Sequence, residues 1–389
     1  MKGPSLTLLL LLPFLAFSQW EQLDDFPHLP FDDGCVMATS NGAFIGTGLA
    51  NNFIAQERFF SWSNSWAEAS PLPSGNRRQY AAATANGRFG YLFGGINDAQ
   101  FYGDLLEFDS QSGSWTALSN LPSSGRSGAC AFYIEDEIYI VGGLLESGQR
   151  TSEVWKYNIA SGSWAEEPRF PNGSVWRAAY TSHSNWGYML FGKDSIERYS
   201  RALYAYHPNE GWQYLSDYPG TGKTHAALVY FHGALYTFGG SDSTDTFSNE
   251  LWKFDLQTSE WTMADSSFHV GIRGGSMWIE DQYLHYVGGL DENLNRSKSH
   301  WRFDLTPQLQ LDDAIVLYPN PASEEIYIES AARIEDVALY DAQGNELSVL
   351  GAIQTFTARL ETNSLPNGMY ILLVQTPNGD LRRRVIVTH

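Results

Sequence analysis

The sequence predicts an all-β chain in two parts: a sixfold repeat of four-stranded units and a smaller β-module behind it. Three observations carry this. A residue pair, usually Gly-Gly, recurs after apolar runs at Thr47-Gly48, Gly94-Gly95, Gly142-Gly143, Gly192-Lys193, Gly239-Gly240 and Gly288-Gly289. A tryptophan recurs independently at Trp20, Trp66, Trp115, Trp164, Trp212 and Trp261. All 13 tryptophans lie between positions 20 and 301, and beyond Thr306-Pro307 the pattern changes. Both markers repeat every 46–50 residues, a period typical of stacked repeat units.

Each unit reads as four strands. Strand one is small and apolar, as in Tyr80-Ala81-Ala82-Ala83. A tight turn follows, such as Asn41-Gly42, Asn86-Gly87 or His232-Gly233, a hairpin signal between apolar runs. Strand two runs into the Gly pair. A longer polar loop leads to strand three, marked by LLEFD at 105–109, VWKYN at 154–158, LYAYH at 203–207, LWKFD at 251–255 and HWRFD at 300–304. A Ser/Gly/Asn turn then leads to strand four, which carries the tryptophan.

Composition sets the outer bounds. The 389 residues are 43% hydrophobic and 17% charged, which excludes a disordered chain. A net charge of −20 argues against nucleic acid and anionic lipid, which need a basic footprint. Two cysteines make neither a disulfide scaffold nor a Cys-rich zinc site. Residues 1–18 combine Lys2, an apolar stretch over 6–17 and the small residues Ala16 and Ser18, the pattern of a cleaved secretory signal. After it no apolar run is long enough to span a membrane, so no transmembrane segment is expected in the mature chain.

The markers over about 19–306 resemble the kelch repeat: Gly-Gly, an aromatic-Asp strand, then Trp. The resemblance implies a six-bladed β-propeller, a ring that leaves only short protected edges. Closure is legible too. No Trp follows Trp301, which occupies a strand-three position like Trp155 and Trp252. Trp20-Glu21-Gln22-Leu23, followed by Pro27, matches Trp115-Thr116-Ala117-Leu118, followed by Pro122. The N-terminal strand is therefore expected to complete the sixth blade.

After a linker at 307–311, residues 312–389 show short alternating strands divided by Gln343-Gly344-Asn345, Pro366-Asn367-Gly368 and Pro377-Asn378-Gly379, as in a small Ig-like β-sandwich. The module resembles the type A sorting domain of the type IX secretion system. The matching residues are Leu317-Tyr318-Pro319-Asn320-Pro321-Ala322, Leu339-Tyr340-Asp341 with Gly344, Leu365-Pro366-Asn367-Gly368-Met369-Tyr370, and the basic last strand from Arg382 to Val387. The resemblance implies handling by the type IX secretion machinery and a secreted, extracellular or outer-membrane-surface destination.

Binding is expected on the face bearing the variable loops 96–103, 144–152, 193–201, 241–249 and 290–299. Arg78, Arg126, Arg177, Lys223 and Arg273 each lie 15 or 16 residues before their Gly pair, on the same face, with His225 just inside. Two readings stand. These residues form a cationic funnel for carboxylates, sugar acids, sulfated glycans or a protein, or they tie blades together through carboxylates and carbonyls. Cys35 and Cys130 share a slot with Ala82, Ala227 and Ser276 that takes only small side chains, so both are expected as buried free thiols. A galactose-oxidase-like copper site would need a cysteine crosslinked to tyrosine, and both cysteines are spent on packing. No catalytic residue, metal site or cofactor is assigned. The expected function is a secreted or cell-surface binding propeller. The alternative is a carbohydrate-active kelch enzyme such as a sialic-acid-type sugar-acid epimerase.

Overall fold

The computed structural model describes residues 19–305 and 315–389, apart from 342, 352–354 and 378. The expected signal segment 1–18, the expected linker 307–311 and positions 312–314 lie outside the described residues. Among the described residues there is no helix.

Six four-stranded antiparallel sheets form the blades. Blade three shows the order, from Cys130–Ile134 through Glu137–Val141 and Val154–Asn158 to Ser163–Glu167. The first strands Cys35–Thr39, Ala82–Asn86, Cys130–Ile134, Ala179–His183, Ala227–Phe231 and Ser276–Glu280 touch in sequence, and the last returns to the first. They wall an axial channel. Their opening residues are Cys35, Ala82, Cys130, Ala179, Ala227 and Ser276, all small because six chains converge there. Both cysteines are free and buried, and burial pushes the Cys35 thiol up to about 12. Strand one starts on the face that also carries the loops between strands two and three, here called upper. The turns after strands one and three lie on the lower face.

The Gly pair has a physical reason. Gly142 and Gly143 take φ of 67° and 108°, a region that strains ordinary side chains. A Cβ on Gly142 would lie 2.6 Å from the Val175 carbonyl oxygen of the next blade. The Gly143 amide donates to that same carbonyl at 2.8 Å. In blade four the sequence register is corrected by one residue. The left-handed pair is Phe191-Gly192, with φ of 72° and 93°, not Gly192-Lys193. The Phe191 ring offsets the strain by packing edge-on against Tyr218, 5.0 Å between centroids.

Four of the six strand-four tryptophans lace blade to blade. Trp66 Nε1 donates to Asp24 O, Trp115 Nε1 to Ser70 O and Trp164 Nε1 to Ser119 O, at 2.8–3.1 Å. Each acceptor lies just beyond strand four of the preceding blade. Trp20–Gln22 pairs with His300–Asp304, Trp20 opposite Phe303, so the N-terminal strand closes blade six. Trp20 is 6% exposed, sits among Phe238, Phe268 and Phe303, and donates to Asp265 Oδ2 at 3.0 Å.

The C-terminal module has its own core. Ile315–Tyr318, Glu325–Ile334 and Thr355–Glu361 form one sheet. Glu346–Leu350, Asp336–Tyr340, Gly368–Thr376 and Gly379–Val387 form the other. Ile326, Ile328, Leu339, Leu372 and Val385 are among the residues buried together. The expected sorting-motif residues organise its ends. Asn320 accepts from the Ile386 amide at 2.8 Å and donates to Arg384 O at 3.0 Å, between Pro319 and Pro321. Tyr370 Oη donates to Pro366 O at 2.7 Å, beside Gly368. Gly344, at φ 85°, closes the turn begun by Asp341.

Removing the clasp tests this closure. Trp20→Ala should cost about 3–5 kcal/mol, the range for a buried aromatic. Thermal or urea unfolding measures it. A loss under about 1 kcal/mol would contradict the buried clasp.

Candidate functional site

The residue heading strand one is left-handed in every blade: Asp33, Tyr80, Gly128, Arg177, His225 and Gly274, with φ between 55° and 69°. Their backbones form a closed ring. Tyr80 N donates to Asp33 O, Gly128 N to Tyr80 O, Arg177 N to Gly128 O, His225 N to Arg177 O, Gly274 N to His225 O and Asp33 N to Gly274 O, at 2.7–3.4 Å. The ring frames the upper mouth of an axial cavity of about 330 Å³, lined below by Cys35, Ala83, Ala131, Ala179, Tyr180 and Ser276. Four ring members carry polar side chains: Asp33, Tyr80, Arg177 and His225. The two glycines leave the room those side chains occupy: a Cβ on Gly274 would lie 2.7 Å from Asp33 Oδ1, and one on Gly128 2.7 Å from the Trp176 ring.

Arg177 is clamped between the Tyr80 and Trp176 rings, its guanidinium carbon 3.8 Å from each centroid. Arg177 Nη1 hydrogen-bonds His225 Nε2. A guanidinium only donates, so Nε2 accepts. The imidazole proton therefore sits on Nδ1, 2.8 Å from Thr224 Oγ1. Burial, then the charges of Arg177 and Arg273, holds His225 well below its ordinary value and neutral. Asp33 lies 3.8 Å from His225 Nε2 and 3.9 Å from Arg273 Nη1. Burial, then the neighbouring Asp32 charge, pushes its carboxyl up to about 7, against the pull of Arg177, Arg273 and the Tyr80 hydroxyl. Asp32 is itself matched by Arg296, whose Nε lies 2.6 Å from its Oδ1. Two guanidiniums thus face one carboxyl that protonates near neutrality. Arg177 Nε and Arg273 Nη1 are buried with no hydrogen-bond acceptor.

The five basic residues expected at one ring divide into three registers. Arg78, Arg126 and Lys223 share a position with Phe31, Val175 and Ile272, whose carbonyls all receive the Gly-pair amide of the preceding blade. These three do not line the channel mouth. Arg78 and Arg126 are 0% exposed. Arg78 makes a bidentate pair with Asp104 at 2.7 and 2.9 Å and donates to Gly94 O. Arg126 pairs with Glu153 at 2.8 Å and donates to Gly142 O. Both tie the entry to strand one to the neighbouring strands of their own blade, through carboxylates and carbonyls. Lys223 Nζ donates to Tyr218 Oη and Ser248 Oγ, and burial pulls its ammonium down to about 8. Only Arg177, His225 and Arg273 meet at the axis. Asp33 and Tyr80 are added by the structure. Both sit 14 residues before the first left-handed residue of their pair, as Arg177 does in the corrected register.

These placements separate on mutation. Arg126→Ala leaves Glu153 without its buried partner and should cost about 3–5 kcal/mol. Arg273→Ala removes no hydrogen-bonded pair and should cost less than about 1 kcal/mol. Urea unfolding of both variants checks the contrast; equal losses would refute it. Asp33 provides a second test. Its folded value lies above the ordinary 3.8, so the folded state binds the extra proton between about pH 4 and 7. Stability from this group is full at low pH and lost as pH rises through that window. Asp33→Asn removes the loss, and should exceed wild type at pH 8 by on the order of 2–4 kcal/mol while matching it at pH 4. Paired unfolding curves at the two pH values read this out.

Comparison with known proteins agrees with the fold. Residues 91–223 match the Attractin/LZTR1 beta-propeller family, residues 222–266 the Kelch motif, and residues 316–388 the Secretion system C-terminal sorting domain. The N-acetylneuraminate epimerases of Escherichia coli K12 and Shigella flexneri are each 25% identical over 87 residues, 21% of this chain and 24% of theirs. The chain thus matches about a quarter of the length of these curated relatives. The solved structure of YjhT superposes with a TM-score of 0.62 at 15% identity, covering 72% of this chain and 95% of that one. At that identity the likeness speaks for the fold alone. Repeat, ring closure and tail converge: the chain is a kelch-type β-propeller with a C-terminal sorting domain, a secreted protein handled by the type IX secretion machinery.

Proposed function

We propose that this is an extracellular binding propeller whose upper channel mouth takes an anionic glycan unit, a sugar carboxylate foremost. One observation carries the reading: Arg177 and Arg273 converge on the axis with buried N–H groups that lack an acceptor. Guanidinium donors match a carboxylate or sulfate well. In this proposal residues 1–18 start export, and residues 312–389 carry the propeller to the medium or the outer-membrane surface.

Isothermal titration with N-acetylneuraminate, and with N-acetylmannosamine as neutral control, tests the proposal. Arg177→Gln and Arg273→Gln should each weaken sugar-acid binding about tenfold or more. Added salt should weaken wild-type binding. Affinity should rise as pH falls from 8 to 6, because Asp33 loses its competing charge near pH 7. Equal binding of acid and neutral sugar would end the anionic reading.

A second reading is an enzyme acting on the same ligand class. The similarity to N-acetylneuraminate epimerases supports it, as does the placement of Asp33, able to exchange a proton near neutrality, beside neutral His225. Proton NMR of N-acetylneuraminate stereoisomers with and without protein separates the readings. Faster interconversion that vanishes in Asp33→Asn supports the enzyme; binding without acceleration supports the binder.

A further inference from the structure

The lower face carries a second constellation, far from the channel mouth. His183 ends strand one of blade four and Ser184 begins the turn after it. Tyr230 and Gly233 belong to the equivalent hairpin of blade five. Against them stand Val316, Tyr318 and Glu329 of the C-terminal module. The His183 and Tyr230 rings stack at 3.8 Å, 7° from parallel. Glu329 is 5% exposed, yet the partners of its carboxylate come from both modules. His183 Nε2 lies 2.5 Å from Oε1, Tyr318 Oη donates to Oε1 at 2.5 Å, and Tyr230 Oη donates to Oε2 at 3.1 Å. His183 also hydrogen-bonds Tyr318 Oη, and Ser184 Oγ lies 3.2 Å from it. The Gly233 amide donates to Tyr230 Oη at 2.9 Å, which fixes the hydroxyl. A Cβ on Gly233 would come within 2.8 Å of Val316 Cγ1, so the glycine sets how closely the modules approach.

A buried carboxylate is tolerated only where donors surround it. Burial alone would push the Glu329 carboxyl up, but His183 and Tyr318 hold it below its ordinary value. Two of its three partners belong to the propeller, although each module has a separate apolar core. The pairing is therefore a designed contact between two independently packed bodies, with complementarity in charge, hydrogen bonding and ring stacking.

We propose that the lower rim of blades four and five is a receptor for the chain's own sorting module. His183, Tyr230 and Gly233 grip Tyr318, Glu329 and Val316 tightly enough to keep the modules associated after the segment joining them is cut. The partner is a β-sandwich presenting a buried glutamate flanked by tyrosine. The rim recognises that surface as a distinct ligand, separate from anything bound at the channel mouth.

The test uses the full chain with a specific protease site placed between residues 306 and 314. After cleavage, size-exclusion chromatography at about 10 μM, a concentration that retains micromolar complexes, asks whether the modules co-elute. Wild type should co-elute. His183→Ala removes one partner of the buried pair and should weaken association about a hundredfold. Tyr230→Phe keeps the ring stack, removes the hydroxyl and should weaken it about tenfold. Tryptophan fluorescence reports on the propeller alone, since all 13 tryptophans lie there, and should be unchanged in Tyr230→Phe. Separation of the wild-type modules at this concentration would overturn the proposal. So would retention of both variants at wild-type strength.

Discussion

The closed ring of backbone hydrogen bonds through Asp33, Tyr80, Gly128, Arg177, His225 and Gly274 is the constraint on which the molecule depends. Each blade must present a left-handed residue at the head of its inner strand, so that its amide reaches the carbonyl of the blade before. A second circuit lies outside it, from the Gly-pair amide to the entry segment of the next blade. Gly48 donates to Arg78 O, Gly95 to Arg126 O, Gly143 to Val175 O, Gly192 to Lys223 O, Gly240 to Ile272 O and Gly289 to Phe31 O. Twelve amides that would otherwise be orphaned at the upper ends of the blades are satisfied between neighbours. Because both circuits close, loosening one blade leaves unpaired groups on two others. The N-terminal clasp, Trp20–Gln22 on His300–Asp304, is the covalent discontinuity that the ring has to tolerate.

The same backbone constraint makes the site. Strain at a left-handed non-glycine residue is held by the surrounding hydrogen bonds, and four such positions, with two glycines, face one axis. The ring uses only backbone groups, so its members need not share a side chain. Here the choice is a carboxyl, a phenol, a guanidinium and an imidazole, with two glycines providing the space. The low exposure that helps hold His225 neutral and lifts Asp33 toward 7 follows from the narrowness of the ring. Proton-exchange capacity and cation excess thus arise from the fold's closure geometry.

Legibility in the sequence tracks what the backbone demands. The Gly pairs are readable because each meets the same close approach in successive blades, and the strand-four tryptophans because they recur at one packing position, with Trp20, Trp66, Trp115 and Trp164 also hydrogen-bonding the preceding blade. In blade four the sequence pattern points one residue late because Phe191 takes a conformation that glycine usually supplies. That slip placed Arg177 beside Arg78 and Arg126, whose burial and carboxylate partners Asp104 and Glu153 lie in loops of variable length. Asp33 and Tyr80 were missed since ring members share geometry, not chemistry, and an acid, a phenol and a glycine do not look equivalent. The signal was the spacing to the left-handed pair. The docking of Glu329 on His183 and Tyr230 has no periodic signature at all, because it joins residues about 100 to 150 apart that belong to different modules.

The axial cavity runs from the ring toward the lower face, and one side chain below the ring links blades that are not neighbours. Tyr180, on the inner strand of blade four, reaches past blade three, and its hydroxyl accepts the Ala83 amide of blade two at 2.9 Å. The side chain lines the cavity below the ring and packs against Phe132. Above it stand Asp33, Arg177 and His225; below it the channel wall continues to Ser182, one residue from the rim where His183 meets Glu329. This hydrogen bond from blade two to blade four cannot yield without exposing a buried donor. A ligand entering from above meets the Tyr180 side chain below the ring. The sorting module on the lower rim occupies a surface that the upper site does not need. The proposed ligand site and the module contact can coexist on one scaffold because the ring that builds the first leaves the opposite ends of the same strands free for the second.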